Sequence, residues 1–225
     1  CKQYGVDVIG GDTTSSTSGL MISISVLGVV KKKKIVYRSG AKKNDLVVVT
    51  GDLGAAYLGL QLLKREKQIF LENPKIQPDL SGYDYILERQ LKPECGVHYL
   101  NIMEKLKVIP TSMIDISDGL ASEALHLAKH SKVSIMLYED KIPIDHTVMN
   151  LANEFNLNPV LCALNGGEDY ELLFTISQKE YDKFKKDVDF TIVGYVADKS
   201  EESSFIAKDN TKHPLTAQGW NSLLD

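Results

Sequence analysis

Carboxylates beside glycines, at the ends of apolar runs, are the residues of this chain best suited to chemistry. Four clusters have that form: Gly10-Gly11-Asp12-Thr13-Thr14, Gly51-Asp52, Asp115-Ile116-Ser117-Asp118-Gly119 and Gly166-Gly167-Glu168-Asp169-Tyr170. Oxygen donors of this kind suit magnesium, a hard cation that keeps waters and shares its shell with phosphate oxygens. Asp115 lies between Ile114 and Ile116 in a strand-like run, so its side chain points opposite theirs. If that face is buried, the carboxylate requires a cation or strong donors. Asp118 follows where a helix begins, so both carboxylates converge above the strand's end. Ser117 between them offers a hydroxyl and a backbone N–H near a helix N-terminus, a natural phosphate position. The glycines before Asp12 let backbone approach a ligand closely. Each cluster also has a plain local reading, because Asp and Gly populate turns and cap helices; Asp52 and Asp118 can each start the helix that follows.

Elements must hold these clusters in place. Residues 6–9 read as a strand running into Gly10-Gly11. Alternation over residues 19–30 sets Leu20, Ile22, Ile24 and Val26 on one face of a long strand, with 31–39 as its hairpin return. Residues 46–50 form a buried strand that turns into a helix over 53–65, followed by a loop over 67–82. Helices are expected over 83–89 and 96–106, separated by Pro93. A strand over 113–116 leads to a helix over 120–130, and a strand over 134–138 to a helix over 147–155. Strands over 170–176, 191–196 and 205–207 follow, with a helix over 178–186 and a polar tail. Several strands read as hairpin partners rather than parallel crossovers, so the fold class is α+β, a mixed α/β arrangement. The boundary at Ser39-Gly40 divides the chain into 1–39 and 40–225.

Composition narrows the function classes. The 225 residues carry 26 basic and 30 acidic side chains, a net charge of −4 that argues against a general nucleic-acid binder. Hydrophobic residues at 43% and charged residues at 25% are ordinary for a globular protein. No apolar run approaches the roughly 18 residues of a membrane span. Three cysteines, Cys1, Cys95 and Cys162, lack paired spacing, which speaks for a reducing, cytoplasmic compartment and against structural zinc. No signal peptide is read at Cys1, and the opening on a strand-like segment reads as a piece of a longer protein. No P-loop, dinucleotide fingerprint or nucleophile elbow occurs.

In chain order, Gly10-Gly-Asp-Thr-Thr14, Arg38-Ser-Gly-Ala-Lys42, Ile114-Asp-Ile-Ser-Asp-Gly-Leu120 and Asn165-Gly-Gly-Glu-Asp-Tyr-Glu-Leu-Leu173 resemble the motifs of the thiamine-monophosphate kinase family. The first and third recur across the wider aminoimidazole-ribotide-synthetase-like superfamily; the fourth is closer to a signature of the kinase. The resemblance implies two α/β domains, with 1–39 the C-terminal remnant of an N-terminal ATP-binding domain and 40–225 a C-terminal synthetase-like domain. It implies a homodimer that uses ATP and Mg2+ to phosphorylate thiamine monophosphate to thiamine diphosphate, with no nucleic-acid or membrane partner. Carried onto matching positions, Asp12, Asp115 and Asp118 resemble the catalytic magnesium ligands, and Gly11 with Asp12 touches ATP. Arg38 and Ser117 match contacts to nucleotide phosphates, Glu168 a substrate-binding acid, and Trp220 the aromatic C-terminal region that meets the thiamine moiety. The tail after Gly219 departs from the family's usual ending, and the family has a substantial further stretch of chain before Asp12. The alternatives are another ATP-dependent synthetase of the superfamily and a noncatalytic nucleotide-binding module.

Overall fold

Short, nearly continuous apolar runs such as Leu46–Thr50 and Glu171–Ile176, buried on both faces, build the sheet that organises this protein. The computed structural model describes residues 1–184 and 189–218. The chain divides into two units, Cys1–Ile35 and Val36–Asp225.

The second unit holds the regular structure. In chain order it comprises β1 (Leu46–Thr50), α1 (Ala55–Glu72), α2 (Asp84–Leu91), α3 (Val97–Leu106), β2 (Ser112–Ile116), α4 (Leu120–Ser131) and β3 (Ser134–Tyr138). There follow α5 (His146–Glu154), α6 (Pro159–Asn165), β4 (Glu171–Ile176), α7 (Tyr181–Phe184), β5 (Phe190–Ala197), β6 (Ser204–Ile206) and β7 (Lys212–Pro214). The strands form one sheet in the order β2-β4-β1-β5-β3-β6-β7. Every pairing is antiparallel except β3 with β6, so the sheet is mixed and the α+β class is observed.

Strand alternation divides the core. Val47 and Val49 of β1, Ile114 and Ile116 of β2 and Leu173 of β4 join α4 residues Leu120, Ala124 and Leu127 in one cluster. Val48 and Phe174, offset by one residue, point into a second cluster with Tyr99, Met103, Phe184 and Phe190. Phe190 meets Phe174 and Phe184 edge-on, with centroids 5.8 and 4.9 Å apart, the geometry that ring quadrupoles favour. A third cluster joins α1, α2 and α5 through Leu58, Leu62, Ile86, Val148 and Leu151.

Several local expectations change. The loop assigned from residue 67 begins later, since α1 continues to Glu72. The sequence reading assigns no element to residues 159–165, which form α6: Asn158 caps it by accepting from the N–H groups of Val160 and Leu161, and Pro159 opens it. The helix expected over 178–186 begins as a 3-10 turn, Gln178–Glu180, before α7.

The first unit departs most from expectation. A 3-10 turn, Lys2–Tyr4, is its regular element, and no strand occurs before Leu46 among the described residues. Leu20, Ile22, Ile24 and Val26, expected on one strand face, are all exposed, as are Met21, Leu27 and Val29. A strand needs a neighbour to take its N–H and C=O groups, and nothing else described in the chain pairs with this segment. No helix among the described residues is long and apolar enough to cross a membrane.

Candidate active site

Two loops, each following an apolar element of the second unit, meet backbone to backbone. Residues 117–119 connect β2 to α4, and residues 166–170 connect α6 to β4. The N–H of Glu168 donates to the carbonyl of Ser117 at 2.7 Å, and that of Tyr170 donates to Ile116 at 2.8 Å. Glycines permit this approach. A Cβ on Gly167 would sit 2.5 Å from the Ser117 carbonyl oxygen, and its φ of +69° is one that L side chains rarely adopt. Glu168 and Tyr170 themselves hold φ of 62° and 53°, a conformation that costs of order 1 kcal/mol or more for a residue with a Cβ.

Asp115, Asp118 and Glu168 are all exposed, and no Lys or Arg pairs with any of them among the described residues. Asp115 does leave the sheet opposite Ile114 and Ile116, but into solvent rather than a buried face. The Tyr170 hydroxyl donates to Glu168 Oε2 at 3.0 Å. That bond, with burial and the charges of Glu168, Asp115 and Asp118, raises the pKa of the phenol. Beneath the loop, Glu123 is only 2% exposed, and burial pushes its carboxyl up to about 7, with Asp118 and Asp115 adding to the shift. Its Oε1 accepts from the Asp118 N–H at 3.4 Å, while Oε2 has no partner. Asp118 caps nothing: the N-cap of α4 is Gly119, without a side-chain bond.

The neighbouring acids behave differently. Burial alternates along the motif, with Glu168 and Tyr170 exposed and Asp169 and Glu171 buried. Both Asp169 oxygens accept from the Gly54 N–H, at 3.1 and 3.0 Å. Burial nonetheless pushes its carboxyl up to about 7. Glu171 accepts from the Thr50 hydroxyl and from Arg89 Nη1, the latter at 3.0 Å. Arg89 Nη2 donates to the carbonyls of Asp52 at 3.1 Å and Asp169 at 3.2 Å. Burial works against the Arg89 charge, yet Glu171 and its neighbours hold its pKa above the ordinary value. Asp52 does not start α1, whose N-cap is Gly54; it accepts from the Tyr85 hydroxyl, and burial raises its pKa.

The structure thus brings together Asp115, Ser117, Asp118 and Glu168. Arg38 is exposed on the irregular stretch beside Tyr37, whose carbonyl accepts from the N–H of Met113 on β2 at 2.9 Å. Gly11 and Asp12 are exposed residues of the first unit. Trp220 lies outside the described residues. Among the described residues, no group of three or more His, Cys, Asp or Glu side chains is arranged to hold a metal ion. Sequence reasoning missed Arg89, Glu171 and Glu123 and assigned Asp169 no role of its own; the run Glu168-Asp-Tyr-Glu171 carries no polar pattern that separates its inward from its outward acids.

No protein-family model matches the chain. It is 35% identical to the thiamine-monophosphate kinase of Bacillus subtilis (strain 168), over 98% of this chain and 65% of that protein. It is also 35% identical to the thiamine-monophosphate kinase of Buchnera aphidicola subsp. Schizaphis graminum, over 99% of this chain and 66% of that one. Among solved structures, AaThiL complexed with AMPPCP and TMP superposes with a TM-score of 0.67 at 29% identity, over 83% of this chain and 54% of that chain. The chain therefore spans less than two thirds of the length of these relatives.

Proposed function

This chain is homologous to the thiamine-monophosphate kinases, and on that premise we propose that its paired acidic loops serve phosphoryl transfer from ATP to thiamine monophosphate, giving thiamine diphosphate. The observation that carries the reading is the backbone pairing of the Ile114–Leu120 and Asn165–Leu173 motifs, which sets Glu168 beside Ser117 and Asp118. The likeness to AaThiL complexed with AMPPCP, an ATP analogue, and TMP supports the same substrates here.

Magnesium is the metal proposed for these acids on the chemistry of their donors, although no group of three among the described residues is arranged to hold one. Their donors are all oxygen, Asp115 and Asp118 have no cationic partner among the described residues, and the Glu123 oxygen without a donor lies next to them. Asp12, Asp115 and Asp118 are the proposed catalytic ligands. Bound there, the metal would neutralise charge on the transferring phosphoryl group. Gly11, Asp12, Arg38 and Ser117 are the proposed nucleotide contacts, with Glu168 and Trp220 on the substrate side. An acceptor phosphate oxygen is already ionised near neutral pH, so its attack on the γ-phosphorus needs no general base. The bond to the β–γ bridging oxygen breaks and ADP leaves. The work is to bring two polyanions together, which falls to the Arg38 guanidinium and the Ser117 N–H and hydroxyl. Residues 1–39 and 40–225 are proposed to be the end of an ATP-binding domain and a synthetase-like domain. A homodimer in the cytoplasm is the proposed setting.

Titrating intrinsic fluorescence with thiamine monophosphate in the presence of Mg2+, against inorganic phosphate as control, tests the reading. A saturable response specific to the thiamine compound, weakened in Asp115→Asn, is expected. An equal response to inorganic phosphate alone would overturn it.

A further inference from the structure

The 166–170 loop is held to Ile116 and Ser117 by main-chain bonds, and the Arg89 side chain also reaches it from a helix. Arg89 projects from α2, and its three bonds go to three different stretches of chain: the Asp52 carbonyl in the β1–α1 turn, the Asp169 carbonyl in the loop, and the Glu171 carboxylate at the start of β4. Asp169 is thereby gripped twice, through its carbonyl by Arg89 and through its carboxylate by the Gly54 N–H. The residues on either side of it, Glu168 and Tyr170, are the two non-glycine residues of the loop with positive φ. A conformation of that cost persists only where surrounding bonds over-determine it. The planar guanidinium supplies two parallel donors in a fixed fork, which a lysine cannot reproduce.

We infer that Arg89 is a positioning residue, fixing Asp169 so that Glu168 and Tyr170 present their side chains beside Asp115 and Asp118. It touches neither of the two acids nor Glu168 and acts through the backbone of Asp169. For its effect on substrate, the inference rests on the kinase reading; for its effect on the loop, it does not.

Two measurements on the whole chain separate these. Amide hydrogen exchange in Arg89→Lys reads the loop directly, because the Glu168 and Tyr170 N–H groups bond to Ser117 and Ile116. Exchange at those two amides is expected to rise about tenfold or more, while Val48, Leu173 and the α4 amides stay within about twofold. Unchanged exchange at Glu168 and Tyr170 would overturn the inference. A uniform rise through β1, β4 and α4 would reduce Arg89 to a general structural role and overturn it too. Should Arg89→Lys fail to fold, Arg89→Met with Glu171→Gln removes both charges together and gives the same exchange readout. The second measurement compares affinity for thiamine monophosphate and for ATP with Mg2+. In the variant the first is expected to weaken about tenfold and the second less than twofold. Absence of binding by the unaltered chain would count against the kinase reading, leaving the exchange result to decide the role of Arg89.

Discussion

Two sets of carboxylates lie in and beside the loop over residues 166–170 and do opposite work. Asp115, Asp118 and Glu168 are exposed and carry no cationic partner among the described residues, whereas Asp169 and Glu171 are buried, with every oxygen engaged by Gly54, Thr50 or Arg89. The chain switches between the sets one residue at a time from Glu168 to Glu171. The difference teaches that acidic character alone says little about role. What separates a candidate ligand from a structural brace is whether the fold has already supplied donors.

The largest effect should come from the buried set. Glu171→Ala leaves Arg89 without its carboxylate and Thr50 without its acceptor, and is expected to cost about 3 kcal/mol, the low end for a broken buried pair because Arg89 is partly exposed. Denaturant unfolding with an unchanged slope measures it. Next, Gly167→Ala places a Cβ against the Ser117 carbonyl at a positive φ and should cost about 2 kcal/mol, with the Glu168 amide losing its exchange protection. A stability loss under 0.5 kcal/mol, on the order of an exposed-site change, would mean the two loops are not locked as described.

Asp169 gives a smaller, pH-dependent effect. Its carboxyl, pushed up from 3.8 to about 7 by burial, keeps a proton in the folded state that the unfolded chain has released. Its contribution is therefore fully present below the unfolded value and is lost as pH rises through 7. Between about pH 5 and pH 7 this group should lower stability by on the order of 1 kcal/mol per pH unit, levelling off above 7, and Asp169→Asn should flatten that slope in thermal melts. The smallest stability effect belongs to the exposed set: Asp115→Asn should leave unfolding within about 0.5 kcal/mol of the parent while removing the Mg2+-dependent gain in substrate affinity. A large destabilisation there would erase the distinction between the two sets.

Most of the second unit was legible because its strands are short apolar runs bounded by turn residues and its helices carry an apolar stripe. The exposed acids were legible too, since Asp115 interrupts Ile114 and Ile116 with the opposite polarity. The caps were misread for a physical reason: Asp52 and Asp118 stand one or two residues ahead of Gly54 and Gly119, and those glycines take the N-cap position. Arg89 could not be read from local pattern, because its partners lie 37, 80 and 82 residues away. The strand expected over 19–30 had the right alternation but no partner, and alternation specifies a face, not a neighbour.

The bonds from Glu168 to Ser117 and from Tyr170 to Ile116 join main chain to main chain, so they are indifferent to most side-chain exchanges but depend on residue count. The two motifs should therefore tolerate substitution far better than insertion. One added residue on either side would move Glu168 out of step with Asp118 while leaving every side chain of both loops intact, so among descendants of this sequence the spacing within each loop should be kept where letters drift.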